Sequence, residues 1–93
     1  MSETQSPPVA WNPQAKAKYD EMIAKIPLFH REIAKQVVDK KAAQNAQARG
    51  AAAIEEEDII RAFFTEVPMT FYSLMIRLFE SVGFDYKPYE PKD

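Results

Sequence analysis

Only two glycines occur in the 93-residue chain, and this scarcity limits the folds that it can adopt. Sheets joined by tight hairpins need more glycine than this at their turns. The seven prolines lie near the two ends and at two internal points, where they end or kink helices. The sequence therefore predicts an all-α fold, a compact bundle of about four helices.

Apolar residues at helical spacing outline the first two helices. Asn12 is typical of an N-cap and Pro13 of a first helical position, which predicts a helix over about 13–25. A second helix follows over about 28–49, and Gly50 ends it. Its predicted core-facing stripe consists of Phe29, Ile33, Ala34, Val37 and Val38.

Two further helices follow a short extended link over 51–54. Four carboxylates at 55–58 open the third helix, where the helix dipole favours anions; a metal or acid–base site is the alternative. The fourth helix, over 69–82, confines its polar residues to a sector of about 100°. Its apolar arc is wider than the stripe of an ordinary surface helix, so it is either wedged in the core or also offers a surface to a partner.

The two ends of the chain differ from its middle. Residues 1–10 are polar and proline-rich and are expected to form a disordered arm, residues 11–84 a single helical domain, and residues 85–93 an irregular tail. The chain has no cysteine, which excludes disulfides, thiolate metal sites and iron–sulfur ligation. With no signal-peptide pattern and no long apolar run, we expect a cytoplasmic protein without a membrane span.

The net charge of −2 is distributed unevenly along the chain. Residues 13–49 carry eight basic and four acidic side chains, whereas residues 55–93 carry four basic and nine acidic ones. The two halves are expected to attract each other or to present solvated faces. Nucleic-acid binding through the first half is disfavoured, because its lysines alternate with acids.

Three residues are candidates for binding. The lone histidine, His30, lies on the predicted apolar face of the second helix; it is expected to be packed and hydrogen-bonded, or else to contact a ligand or cofactor. Arg31 beside it is expected at the rim, solvated or paired with an anion of a partner. Trp11 is either a hydrophobic staple or an interface anchor.

Motifs that carry chemistry are missing from the sequence. It contains no glycine-rich phosphate loop, no nucleophile elbow and no set of metal ligands. We therefore predict no catalytic residues, no metal site and no cofactor, and we expect the chain not to be an enzyme.

Several of these segments together resemble a known family. Trp11-Asn12-Pro13, the stretch 26–31 (IPLFHR), Arg49-Gly50 and the stretch 54–62 (IEEEDIIRA) are similar to the small helical C-terminal domain of the B subunit of light-independent protochlorophyllide reductase (the PCP-red domain).

The resemblance covers about residues 11–63 and implies a compact cytoplasmic bundle with an accessory role in tetrapyrrole reduction or a related redox complex. It implicates no catalytic residue. Two departures concern His30, where the family has an apolar residue, and Glu55, where it has threonine. Glutamate is a poorer cap than threonine, so the third helix is expected to start less sharply. Residues 68–93 have no counterpart.

The predicted function is a non-catalytic accessory module that docks to a larger redox or tetrapyrrole-related protein. One alternative is a domain that binds a tetrapyrrole or another hydrophobic small molecule near His30. Another is a histone-like nucleic-acid binder in which Lys35, Lys40 and Lys41 contact phosphate. The docking surface could also join copies of the chain into a homo-oligomer. The candidate partner interface consists of Trp11, Phe71, Tyr72, Met75 and Phe79.

Overall fold

The computed structural model describes residues 10–91, in which four helices pack around one apolar core. The predicted all-α bundle is confirmed. The predicted disordered arm lies outside the described residues except for Ala10, and so do the last two residues of the predicted tail.

The first two helices begin and end close to the predicted positions. Helix α1 spans Pro13–Ala24, and the side chain of its N-cap, Asn12, accepts hydrogen bonds from the amides of the second and third helical residues at 2.9 and 3.0 Å. Helix α2 spans Leu28–Ala48. The chain then turns at Gly50, whose φ of 70° is a left-handed conformation that glycine adopts without strain.

A pair of two-residue strands joins the beginning of the described chain to the link before the third helix. Strand β1 (Ala10–Trp11) runs parallel to strand β2 (Ala53–Ile54), and the amide of Asn12 extends the pairing with a 3.0 Å bond to the Ile54 carbonyl. The extended link was predicted, but its pairing with the segment before α1 was not.

The second half of the chain forms two helices separated by a sharp bend. Helix α3 spans Glu56–Glu66. A 3-10 helix over Met69–Phe71 leads into helix α4, Tyr72–Val82, and residues 69–82 make an angle of 119° with α3. The fourth helix is thus an α-helix only from Tyr72 onward, because Pro68 starts a tighter turn before it.

An aromatic cluster occupies the centre of the core. The ring of Phe79 lies 5.6 Å from Phe63, 5.5 Å from Phe64, 6.0 Å from Phe84 and 5.7 Å from Tyr86. Phe84 and Tyr86 follow α4 and are buried, so the predicted irregular tail contributes one of the core residues. A second 3-10 helix, Lys87–Tyr89, lies beyond them.

Opposite charges connect the two halves of the chain, as the charge distribution predicted. Lys18 pairs with Glu56 at 2.8 Å, and Arg49 pairs with Asp58 at 2.6 Å. The Asp58 carboxylate is 1% exposed and also accepts the amide of Glu55 at 2.8 Å. This bond satisfies the N-cap amide, so the prediction of a poorly defined start for α3 is wrong.

Candidate functional site

The length of α2 creates the candidate site. Helix α2 has 21 residues and α3 has 11, so about 15 Å of α2 extends beyond the helix that covers it. Bonds from Asn45 and Arg49 to Asp58 fix the second half of α2 against the start of α3. The fully buried residues of α2, which are Val38, Ala42 and Ala46, all belong to this second half.

The first half of α2 is the part that sequence reasoning placed in the core, and most of that prediction is wrong. Phe29 is 92% exposed and Ile33 is 66% exposed, while Ala34 and Val37 are half-buried. Of the predicted stripe, Val38 alone is fully buried. The apolar face exists, but α3 ends too early to cover it.

An open groove lies along this uncovered face. It has a volume of about 420 Å³ and is bounded by the end of α1, the first half of α2, the end of α3 and the beginning of α4. Two of the lining residues carry ionisable side chains, His30 and Glu66. The others are aliphatic, aromatic or proline: Met22, Ile26, Pro27, Phe29, Ile33, Ala34, Val37, Phe63, Val67, Pro68, Phe71, Leu74, Met75 and Leu78.

Large apolar side chains stand exposed in and beside the groove. We call this set the exposed patch: Leu28 (76% exposed), Phe29 (92%), Ile33 (66%), Met69 (74%), Phe71 (45%) and Leu74 (37%). Scattered exposed apolar residues are normal on a monomer, but a contiguous cluster is a feature of interaction surfaces. Four of the six line the groove, and the other two flank Phe29 and Phe71 in sequence.

His30 lies in the groove wall and is exposed, so the predicted packed, hydrogen-bonded role is wrong. Its ring lies 5.9 Å from the ring of Phe71 and 6.4 Å from that of Phe29. The histidine therefore bridges two aromatic members of the exposed patch. The described residues contain no group of three or more His, Cys, Asp or Glu side chains placed to hold a metal ion.

Arg31 is bound within the protein instead of being simply solvated, and its pairing with an anion of a partner stays a prediction. Its guanidinium donates to the carbonyl of Ala24 at 2.9 Å and to that of Ile26 at 3.1 and 3.2 Å. These acceptors lie at the end of α1, where carbonyls lack partners within the helix. Arg31 therefore joins the end of α1 to the beginning of α2.

The predicted interface residues in α4 and the 3-10 helix before it separate into surface and core. Phe71 is 45% exposed and Met75 is 4% exposed, and both line the groove. Tyr72 is half-buried, and its hydroxyl donates to the carbonyl of Phe64 at 2.6 Å. Phe79 is fully buried in the aromatic cluster and is inaccessible to a partner in this conformation.

Trp11 lies outside the groove. Its ring stacks on Tyr19 at 5.3 Å, and the ammonium of Lys16 lies 5.7 Å from the ring centre. Lys16 is the fourth helical residue of α1, the position against which a staple packs. The positions are those of a staple, but the fourth helical residue is a lysine, so Trp11 makes a cation–π contact there instead of the predicted apolar one. Trp11 is not among the residues that line the groove.

Sequence reasoning assigned two of the patch residues, Phe29 and Ile33, to the core, and it did not single out Leu28, Met69 and Leu74 as individual surface residues. A usable signal was present in the predicted lengths, because the second helix, over about 28–49, was clearly longer than the fourth, over 69–82. Periodicity alone could not reveal this, since it identifies an apolar face and not what covers that face.

A second cluster of polar side chains lies between α1 and α2. The Tyr19 hydroxyl donates to Asp39, and Lys35 pairs with the same carboxylate at 2.9 Å. Burial and the bond to Asp39 raise the pKa of Tyr19 well above its usual value. All three side chains have partners in the protein, so the cluster joins two helices and leaves no group poised for chemistry.

No single helix among residues 10–91 is long and apolar enough to cross a membrane; α3 and residues 69–82 meet the length and composition criteria only as a bent pair.

Comparison with known proteins gives one result. A family model described as "Protein of unknown function (DUF2621)" matches residues 4–92. The chain belongs to this family. No curated protein and no solved structure matches the chain.

Membership of the DUF2621 family corrects the resemblance drawn from the sequence. The DUF2621 match spans nearly the whole chain, whereas the segments resembling protochlorophyllide reductase covered about 11–63, and no domain of that reductase is found. That assignment is wrong. The roles in tetrapyrrole reduction and redox complexes that it implied lose their support with it.

Proposed function

We propose that this DUF2621 protein is a non-catalytic protein-interaction module and that its groove is the docking surface. The observation that carries the proposal is the exposed patch of six large apolar side chains around an open apolar groove. Water contact with this surface is unfavourable, and covering it with a partner's apolar side chains removes that cost.

The form of the groove suits an apolar helix. Two of its walls are themselves helical, α2 on one side and the start of α4 on the other. An amphipathic helix docks in such a groove by inserting the apolar side chains of one face, which lie at positions i, i+3, i+4 and i+7. The ends of α1 and α3 close the floor with Met22 and Phe63, which are fully buried and give the anchors a rigid base.

A small apolar molecule is the second candidate, because the groove volume falls within the range of about 300–1,000 Å³ usual for ligand sites. Such a ligand would leave Leu28 and Met69 in water, since neither lines the groove. Native mass spectrometry of the chain purified from the cells that naturally produce it distinguishes a docked protein from a bound small molecule. A small-molecule adduct that stays on the chain favours the ligand.

Nucleic-acid binding has less support than the docking of a protein or the binding of a small apolar molecule. Of the lysines expected to contact phosphate, Lys35 is held by Asp39, and forming a phosphate contact would break that pair. Gel shifts at low salt test this directly, and clear retardation would favour nucleic acid over protein as the partner.

Affinity capture with a matched pair of variants tests the docking proposal. Ile33→Glu places a carboxylate in the groove, whereas Gln44→Glu adds the same charge to an exposed position of the same helix, about 16 Å further along it. Both positions are exposed, so neither substitution disrupts the core. A partner retained by wild type and by Gln44→Glu but lost with Ile33→Glu supports the proposal. Equal retention by all three would contradict it.

A further inference from the structure

We infer that the occupant of the groove is a second copy of this chain, in a two-fold symmetric dimer. The inference rests on the proposed docking role of the groove and names the partner.

The area of the exposed patch matches what a dimer needs. The six exposed fractions add to about four fully exposed side chains, or roughly 600–800 Å² at about 150–200 Å² each, the lower part of the range for aromatic side chains, because four of the six are smaller than an aromatic ring. A specific interface buries about 800 Å² on each partner. The largest apolar patch on a typical monomer is about 300–600 Å². Counted with Leu28 and Met69, which lie outside the groove lining, the exposed patch is thus at the upper end for a lone monomer and close to one standard interface.

The patch also combines a projection with a recess, as a two-fold contact requires. In such a contact the same surface of each copy meets itself, so it must supply both the side chains that insert and the pocket that receives them. Phe29 projects almost entirely into solvent at 92% exposure, beside a groove whose floor includes the buried Phe63 and Met75. The Phe29 ring of one copy can therefore fill the groove of the other, and the exchange is reciprocal.

The charge in the groove is compatible with self-association. Each copy brings one carboxylate, Glu66, and one imidazole, His30, among otherwise apolar lining residues. Two copies therefore meet with two ionisable side chains each to desolvate among otherwise apolar residues.

The ends of the same chain make poor occupants. Residues 1–9 (MSETQSPPV) contribute only Met1 and Val9 as aliphatic side chains besides two prolines, and the last two residues are Lys92 and Asp93. Neither segment can supply the spaced apolar anchors that would cover a patch of this size.

Sedimentation velocity of the purified chain across a dilution series tests the inference, using the same two variants. Wild type and Gln44→Glu should sediment as dimers that dissociate on dilution. Ile33→Glu should be monomeric, with association weakened by roughly 100-fold or more, because each interface would bury two carboxylates without partners. Circular dichroism of Ile33→Glu should show unchanged helix content, since Ile33 is 66% exposed in the monomer.

Two results would overturn the inference. One is a monomeric wild type at every concentration, and the other is a dimer that Ile33→Glu leaves intact. If the chain is monomeric but still retains a different protein that Ile33→Glu releases, the dimer is excluded and the docking role stands. If neither self-association nor any capture depends on Ile33, both proposals fail.

Discussion

Replacing Phe79 with alanine tests whether the aromatic cluster is the core of this fold. Phe79 is completely buried near the middle of α4, and its ring lies within 6.0 Å of four other aromatic rings. Sequence reasoning assigned this residue to a partner interface. The structure makes it the side chain through which α3, α4 and the segment after α4 meet.

The expected cost follows from burial. Truncating a fully buried phenylalanine to alanine destabilises a protein by about 3–5 kcal/mol, so we expect Phe79→Ala to cost about 4 kcal/mol. A chain of this length has a free energy of unfolding of roughly 5–14 kcal/mol, so the loss is a large part of the total. Phe71→Ala should cost only about 1–2 kcal/mol, because Phe71 is already 45% exposed.

Urea denaturation followed by far-ultraviolet circular dichroism measures both values. The experiment belongs in an Ile33→Glu background, because dimer formation would otherwise add stability that depends on protein concentration. The m-value should be the same in both variants and in the background chain. A loss below about 1 kcal/mol for Phe79→Ala, or equal losses at both positions, would refute this account of the core.

Four other changes have expected outcomes. Asn12→Ala removes the two cap bonds of α1 and should lower the urea-derived stability by about 1 kcal/mol. Gly83→Ala should cost about 1 kcal/mol or more, from backbone strain at φ 85° rather than from crowding, since the nearest heavy atom to an added Cβ is 3.9 Å away; an unchanged melting temperature would contradict this. Asp58→Ala leaves buried donors without an acceptor and should cost about 2 kcal/mol or more. Burial and the bond to Asp39 raise the pKa of folded Tyr19 above the usual tyrosine value of about 10, so its contribution to stability is complete below pH 10 and is lost as the pH rises above that value. Tyr19→Phe should therefore reduce the fall in stability above pH 10.

The helices were predictable because their ends carry local chemical signals. Asn12 and Pro13 start α1, and Gly50 and Gly83 adopt the left-handed conformations that end α2 and α4. Such signals depend on residues a few positions apart, and they hold whatever the tertiary packing. The attraction between the basic and acidic halves was predictable for a different reason, since opposite net charges attract in any compact arrangement.

The groove was not predictable to the same degree. The apolar face of α2 was recognised correctly, but its burial depends on how far α3 reaches along it, which is a property of the assembled fold. Phe29 and Ile33 were consequently assigned to the core. Pro68 contributes as well, because the bend that follows α3 places Phe71 and Leu74 in the groove wall opposite the first half of α2.

The incorrect family assignment has a related cause. Its two strongest segments, 26–31 and 54–62, consist of a proline between two helices and an acidic helix start. Prolines end or start helices and acidic residues stabilise helix N-termini in general, so both patterns recur in unrelated helical proteins. A match over residues 4–92 carries more information because it also constrains the fourth helix and the tail.

Site-specific photo-crosslinking in cells that express the chain tests the central claim most directly. A benzophenone side chain at Ile33 would report what covers the groove, and the same group at Gln44 would report collisions with an exposed part of the same helix. The docking account predicts a discrete protein adduct from position 33 and none from position 44; for a second copy of the chain, the adduct has twice the monomer mass. No adduct from position 33, or equal adducts from both positions, would contradict it.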